Sequence, residues 1–128
     1  MLIRVDPARS VPLADQIAAC VRRGIADGSV STGERLPGAR DLAASLEVSI
    51  HTVLAGYQQL RDEGLIELRR GRGATVRGGS PAGRAEVIEL ARRLVEAGRR
   101  LDLDDDELVA LLKEAAARAA GGAVPPRP

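Results

Sequence analysis

Only Glu47-Val48-Ser49 separates two stretches of this chain that each repeat apolar residues at helical spacing. The first, about residues 38 to 46, turns Leu42, Ala43 and Leu46 to one side; the second, about residues 49 to 63, turns Val53, Tyr57 and Leu60 to one side. So short a link forces the two helices to cross sharply. Pro37 stops any helix from running into the first of them. Ser49 suits the N-cap of the second, and Gly64 suits the position just past its end. Leu65 to Arg70 and Ala74 to Arg77 then read as two strands around a Gly71-Arg72-Gly73 turn. A helix-turn-helix followed by a Gly-tipped hairpin is a winged helix-turn-helix, and the predicted fold class is α+β, mostly helical.

The flanks fit that frame. Leu2-Ile3-Arg4-Val5 reads as a short strand or an extended lead-in, and Asp6 to Ser10 as a turn-like break. Pro12 suits a first helical position. Leu13, Ile17, Cys20, Val21, Gly24 and Ile25 then recur at helical spacing, a helix of about four turns that Asp27-Gly28 closes. Gly33 to Leu36 is a short extended link. Downstream, residues 78 to 83 are Gly, Ser, Pro and Ala only, the clearest linker in the chain. Val87, Leu90, Ala91, Leu94 and Ala97 make an amphipathic helix over about residues 83 to 98. Asp104 with Glu107 three residues on is a capping-box start for a last helix that carries Leu108, Leu111, Leu112 and Ala115. The expected division is a winged domain over 1–78, a linker over 79–83, a C-terminal helical region over 84–121 and a disordered tail over 122–128. Two helices of about 40 residues cannot enclose a core of their own. The pair can pack back on the winged domain, but the expected solution is a homodimer, with Val87, Leu90, Leu94, Leu108, Leu111 and Leu112 facing the same hairpin of a second chain.

Charge enters through its distribution. The net charge is only +1, but residues 1–78 carry 11 Arg, no Lys and 9 acids, and Arg69 to Arg77 holds four arginines and no acid. Such a local patch steers a chain toward phosphate whatever its total charge. The alternative is a solvated hairpin. With one Tyr and no Phe or Trp there is no aromatic platform for unstacked bases, which favours duplex over single-stranded nucleic acid. One Cys excludes an internal disulfide and fits a reducing cytoplasm; Cys20 lies on the apolar stripe and reads as a small buried hydrophobe. No apolar run approaches the roughly 20 residues of a membrane span, and no signal-peptide core is present, so a cytoplasmic location is expected. Arg over Lys, with much Ala and Gly, points to a GC-rich bacterial genome.

Catalytic and cofactor chemistry find little material. His51 and Cys20 are the sole members of their kinds, so no enzyme, metal or cofactor is expected. Asp102 to Asp106 alternates carboxylates like a calcium loop, but Glu107 stands where Gly is needed and Lys113 where a bidentate Glu is needed. Gly71-Arg72-Gly73 precedes no helix and is not a nucleotide loop.

The expected partner is double-stranded DNA. The N-terminus of the second helix of the pair would meet the groove with Ser49, Ile50, His51 and Thr52, its free N–H groups favouring phosphate. Arg40 can reach a phosphate or a guanine, or instead pair with Asp41 or Asp62. Arg70, Gly71, Arg72 and Gly73 form the wing tip, suited to the minor groove. A competing function class is a winged-helix interaction module whose basic hairpin meets an acidic protein.

Several residues in order carry a further likeness: Pro12-Leu13 with Gln16-Ile17, Gly33 to Pro37, Arg40-Asp41-Leu42-Ala43, Val48-Ser49, Thr52-Val53, Tyr57, Leu60, Glu63 to Ile66 and Gly71-Arg72-Gly73. Over about residues 3 to 77 the chain resembles the GntR family of bacterial transcriptional regulators, and its short helical C-terminus is most similar to the YtrA-type subfamily. The resemblance implies a homodimeric repressor on a palindromic operator, often at transporter operons of the ATP-binding-cassette type. It assigns DNA contact to Arg40, Ser49, His51, Thr52 and the wing around Gly71 to Gly73. Departures are Gly38 in place of the usual Ser, Glu47 where Gly is common, and Ile50 and Leu54 where basic or polar residues are common. No polar pocket is legible in the C-terminal helices, so a small-molecule effector stays open and unnamed, as do the operator, its genes and the sign of regulation.

Overall fold

Helix ends and glycines set the frame. The computed structural model describes residues 2–71, 73–79 and 81–122. Its elements are α1 (Leu13–Asp27), α2 (Ala39–Leu46), α3 (Ile50–Asp62), β1 (Ile66–Arg69), β2 (Gly73–Val76), α4 (Pro81–Arg100) and α5 (Asp105–Gly122). Arg72 at the wing tip and the tail from residue 123 on lie outside the described residues.

α1 starts one residue later than expected, with Pro12 as its N-cap rather than its first helical residue. The lead-in from Leu2 to Val5 is extended but not a strand. The break that follows is tied down by Gln16, a buried side chain that accepts from the Asp6 N–H (2.7 Å) and donates to the carbonyls of Asp6 (3.0 Å) and Val11 (2.9 Å). α3 ends in a Schellman arrangement: Leu65 N–H reaches the Leu60 carbonyl (3.0 Å) and Gly64 N–H the Arg61 carbonyl (2.9 Å), with Gly64 at φ +77°. α2 ends in the same way without a glycine. Glu47 takes φ 57°, and Val48 N–H reaches the Ala43 carbonyl at 3.0 Å. The left-handed turn conformation therefore falls on a side chain that disfavours it.

The described chain divides into a first compact unit ending at Glu89 and a second beginning at Leu90. The first has one core. Ile17, Val21 and Ile25 of α1 meet Val53, Tyr57 and Leu60 of α3, with Leu42 and Ala43 of α2 and Leu65, Ile66, Ala74 and Val76 of the hairpin closing around them. At the α1–α3 crossing Gly56 has no room for a side chain: a Cβ there would lie 2.9 Å from the Ala14 carbonyl oxygen. β1 and β2 pair antiparallel from Ile66 with Val76 to Arg69 with Gly73. The Gly33 to Leu36 link is more than a connector. Leu36 N–H donates to the Ala74 carbonyl and Val76 N–H to the Glu34 carbonyl (both 2.9 Å), and Arg35 bridges Thr75 on the outer edge of β2.

α4 begins at Pro81, so residues 81–83, expected as linker, are helical. Its first half belongs to the first unit, where Ala85 is fully buried in the core. In the second unit the Leu101 to Asp104 turn leads into α5. The Asp104 N–H donates to the Glu107 carboxylate (3.1 Å) and the Glu107 N–H to the Asp104 carboxylate (2.8 Å), the capping box read from the sequence. A Cβ at Gly98 would collide with Leu108, whose side chain fills that crossing.

Candidate nucleic-acid interface

Ser49 builds the end of α3. Its extended backbone leaves the hydroxyl free to accept from the Thr52 N–H at 3.1 Å, and the two hydroxyls lie 2.9 Å apart. One orphan donor of the helix is thereby satisfied, while the first-turn N–H groups of Ile50 and His51 receive no bond from the cap. Ser49 and His51 are exposed, Thr52 is half-buried, and Ile50 packs partly on the core. Ser49 and Thr52 are engaged with each other in the cap, and His51 stands exposed beside them. The end is also acid-free in its first turn, so nothing in α3 itself neutralises its positive pole.

Tyr57 holds the preceding segment against this helix. Buried to 3% exposure, it donates its hydroxyl to the Pro37 carbonyl at 2.6 Å, and burial pushes its pKa up to about 12. That bond fixes the entry to α2, one residue before its Gly38 N-cap, and so the base from which Arg40 projects. Arg40 is exposed and makes no ion pair with Asp41 or Asp62; Asp62 pairs with Arg61 (3.4 Å).

The hairpin sits beside α3, since β1 packs on that helix. Its arginines are not equivalent. Glu67 holds Arg69 at 3.0 Å and lies 4.0 Å from Arg77, so two of the four cations of the patch have an acid within their own hairpin. Arg70 is exposed in the turn, with no acidic partner among the described residues. Gly71 and Gly73 take φ +77° and +74°, the left-handed values that a tight turn demands. The Arg72 assignment falls outside the described residues. Arg35, which the sequence left unassigned, joins the site: its guanidinium lies where a Cβ on Gly73 would come within 3.6 Å of Nε. The available signal was Gly33 to Leu36 read as a third pairing edge, which puts Arg35 beside the wing.

A second unassigned arginine is structural. Arg22 is fully buried; it donates bidentately to Glu63 (2.8 and 2.9 Å) and through Nη1 to Glu89 (2.9 Å). Burial works to lower its pKa, but the hydrogen bonds and charges of the two carboxylates outweigh that and raise it. Arg84 adds a bond to the Glu63 carbonyl. The end of α3 is thereby tied to α1 and to the start of α4. Spacing had the information: Arg22 falls between Ala18 and Ile25 on the inward stripe of α1.

Of the six residues expected at a dimer face, Leu90, Leu111 and Leu112 are 53%, 47% and 57% exposed and Val87 is 65% exposed. Leu94 is half-buried. Leu108 is 6% exposed and packs on Gly98 within its own hairpin. No group of three His, Cys, Asp or Glu side chains suited to a metal occurs among the described residues. No described helix is long and apolar enough to cross a membrane.

A family model described as bacterial regulatory proteins, gntR family, matches residues 13–76. The chain is 35% identical over 75 residues to the HTH-type transcriptional repressor YtrA of Bacillus subtilis (strain 168), covering 59% of this chain and 58% of that protein, a little over half its length. It is 32% identical over 110 residues to the HTH-type transcriptional regulator Rv1152 of Mycobacterium tuberculosis, covering 86% of this chain and 90% of that one. Among solved structures, YtrA from Sulfolobus acidocaldarius, a GntR-family transcription factor, superposes with a TM-score of 0.58 at 33% identity, covering 74% of this chain and 99% of that one.

Proposed function

The chain belongs to the GntR family of bacterial regulatory proteins, and from that premise we propose that it regulates transcription by binding duplex DNA sequence-specifically, as a homodimer on a palindromic operator, in the cytoplasm. The observation that carries this reading is the exposed, acid-free N-terminus of α3 beside a hairpin whose Arg70 has no acidic partner among the described residues. A helix end of that kind fits a major groove, and free guanidinium groups on a wing fit the flanking phosphates or the minor groove. Arg40, Ser49, His51, Thr52, Arg70, Arg72 and the glycines of the wing are the assigned contacts, with Arg35 added. Exposed Val87, Leu90, Leu111 and Leu112 support pairing with a second chain. That the Bacillus relative is a transcriptional repressor favours repression. The family is one of regulators, and no enzymatic role is assigned.

Gel-shift and footprinting of the purified chain on the DNA upstream of its own gene tests the proposal. Arg70→Ala should weaken binding to specific and nonspecific duplexes alike and lower the slope of log affinity against log salt by about 1. An unchanged slope would remove the wing from the contact. Failure to retard any duplex, with retention of an acidic protein instead, would replace the regulator by an interaction module.

A further inference from the structure

The outward face of α3 carries an apolar side chain that the core does not use. Val53, Gly56, Tyr57 and Leu60 are the buried stripe. The opposite stripe is His51, Leu54, Ala55 and Gln58, at steps of three, one and three residues, and all four are exposed. Leu54 is 39% exposed, a large aliphatic group in the middle of a surface strip that a merely solvated helix would fill with polar residues. The strip also lacks the commonest base-reading group: from Ile50 to Leu60 there is no Arg or Lys. Guanine recognition through a bidentate guanidinium is therefore not available to this helix, and Arg61 lies at its far end.

Resting on the DNA-binding reading above, we propose that Leu54 reads the C5 methyl group of thymine in the major groove, with the small Ala55 beside it allowing close approach. Gln58, one turn further on, can bond bidentately to the N6 and N7 edge of an adenine. The chemistry of the face as a whole is that of A·T pairs under the centre of α3. Guanine contacts fall to Arg40, which projects from α2. A thymine methyl is apolar and stands proud in the groove, so it complements Leu54 as water does not. The strip is continuous with the His51 and Thr52 end of the helix, the part assigned to the groove.

A duplex selected from a random pool by the full chain supplies the probe. Each thymidine is then replaced singly by deoxyuridine, which removes one methyl and leaves every hydrogen-bonding group intact. At one or two positions per half-site the replacement should weaken wild-type binding by about threefold to fivefold, the expected effect of one buried methyl. Leu54→Ala, a surface change, should bind the thymidine and deoxyuridine duplexes equally at those positions, and Leu54→Val should show an intermediate loss. Losses that are absent, or identical in wild type and both variants, would overturn the methyl contact while leaving DNA binding standing. Selection of no duplex at all would overturn the regulator reading, and this contact with it.

Discussion

Tyr57 shows how one side chain can serve both packing and registration. It is a core residue of α3, and its hydroxyl fixes the Pro37 carbonyl at 2.6 Å. Because the folded state holds this phenol neutral, with a pKa raised from 10.0 to about 12 by burial, the proton is bound more tightly in the fold than in the unfolded chain. Its contribution is complete below pH 10 and is lost as pH climbs from 10 toward 12, amounting to roughly 2–3 kcal/mol at the top of that window. This is the only tyrosine, so tyrosinate absorbance reports this site alone. Wild type should show the ionisation delayed until the chain unfolds, with a matching alkaline fall in stability; Tyr57→Phe should lose that fall. Apolar spacing sufficed to put Tyr57 inward. The carbonyl it seeks, twenty residues back, was not legible, because hydrogen bonds across that distance are made by tertiary contact and leave no periodic trace. The partners of Gln16 and Arg22 are hidden in the sequence for the same reason, although spacing alone turns Arg22 inward. Polar residues on an apolar stripe are explained only once their partners (Asp6 and Val11, Glu63 and Glu89) are brought near.

Element boundaries were better inscribed than partnerships. Ser49, Gly64, the Asp104–Glu107 pair and the two hairpin strands all lie where local chemistry demanded. The misjudged pieces were those governed by tertiary pairing: the Gly33 to Leu36 link recruited to the edge of β2, and the start of α4 drawn back to Pro81 by burial of Ala85. In the turn between α2 and α3 geometry and side chain disagree. It needs a left-handed residue and has Glu47, which is exposed and has no ion pair among the described residues. Glu47→Gly should relieve roughly 1–2 kcal/mol of strain, offset by about 0.5–1 kcal/mol of extra unfolded-chain entropy. A net gain of about 0.5–1 kcal/mol in urea unfolding is expected. A loss would mean that the carboxylate has a stabilising contact of its own. The crossing at Gly56 is the opposite case, a glycine used for closeness rather than for turning, since α1 passes too near for any Cβ.

At the scale of the whole molecule, the exposed aliphatic groups of α4 and α5 and the wing's Arg70, without an acidic partner among the described residues, ask for different partners. Leu111 is 47% exposed and makes the cleaner probe of self-association, because Leu108 is already committed within its hairpin. Leu111→Glu should turn a sedimenting dimer into a folded monomer, and its affinity for a two-half-site operator should fall by about tenfold or more as each half-site is bound alone. An unaltered dimer would move the interface elsewhere. The Arg22 clasp sets a limit on dissection. Its guanidinium has no exposure, and one of its two carboxylates, Glu89, lies eight residues into α4. Truncation at the glycines after the hairpin would leave Arg22 with Glu63 alone, removing its Nη1 bond to Glu89 and the helix that buries Ala85. The smallest winged fragment able to stand alone therefore keeps the opening turns of α4, and anyone trimming this protein for crystallography or for a DNA-binding assay should make the cut beyond Glu89.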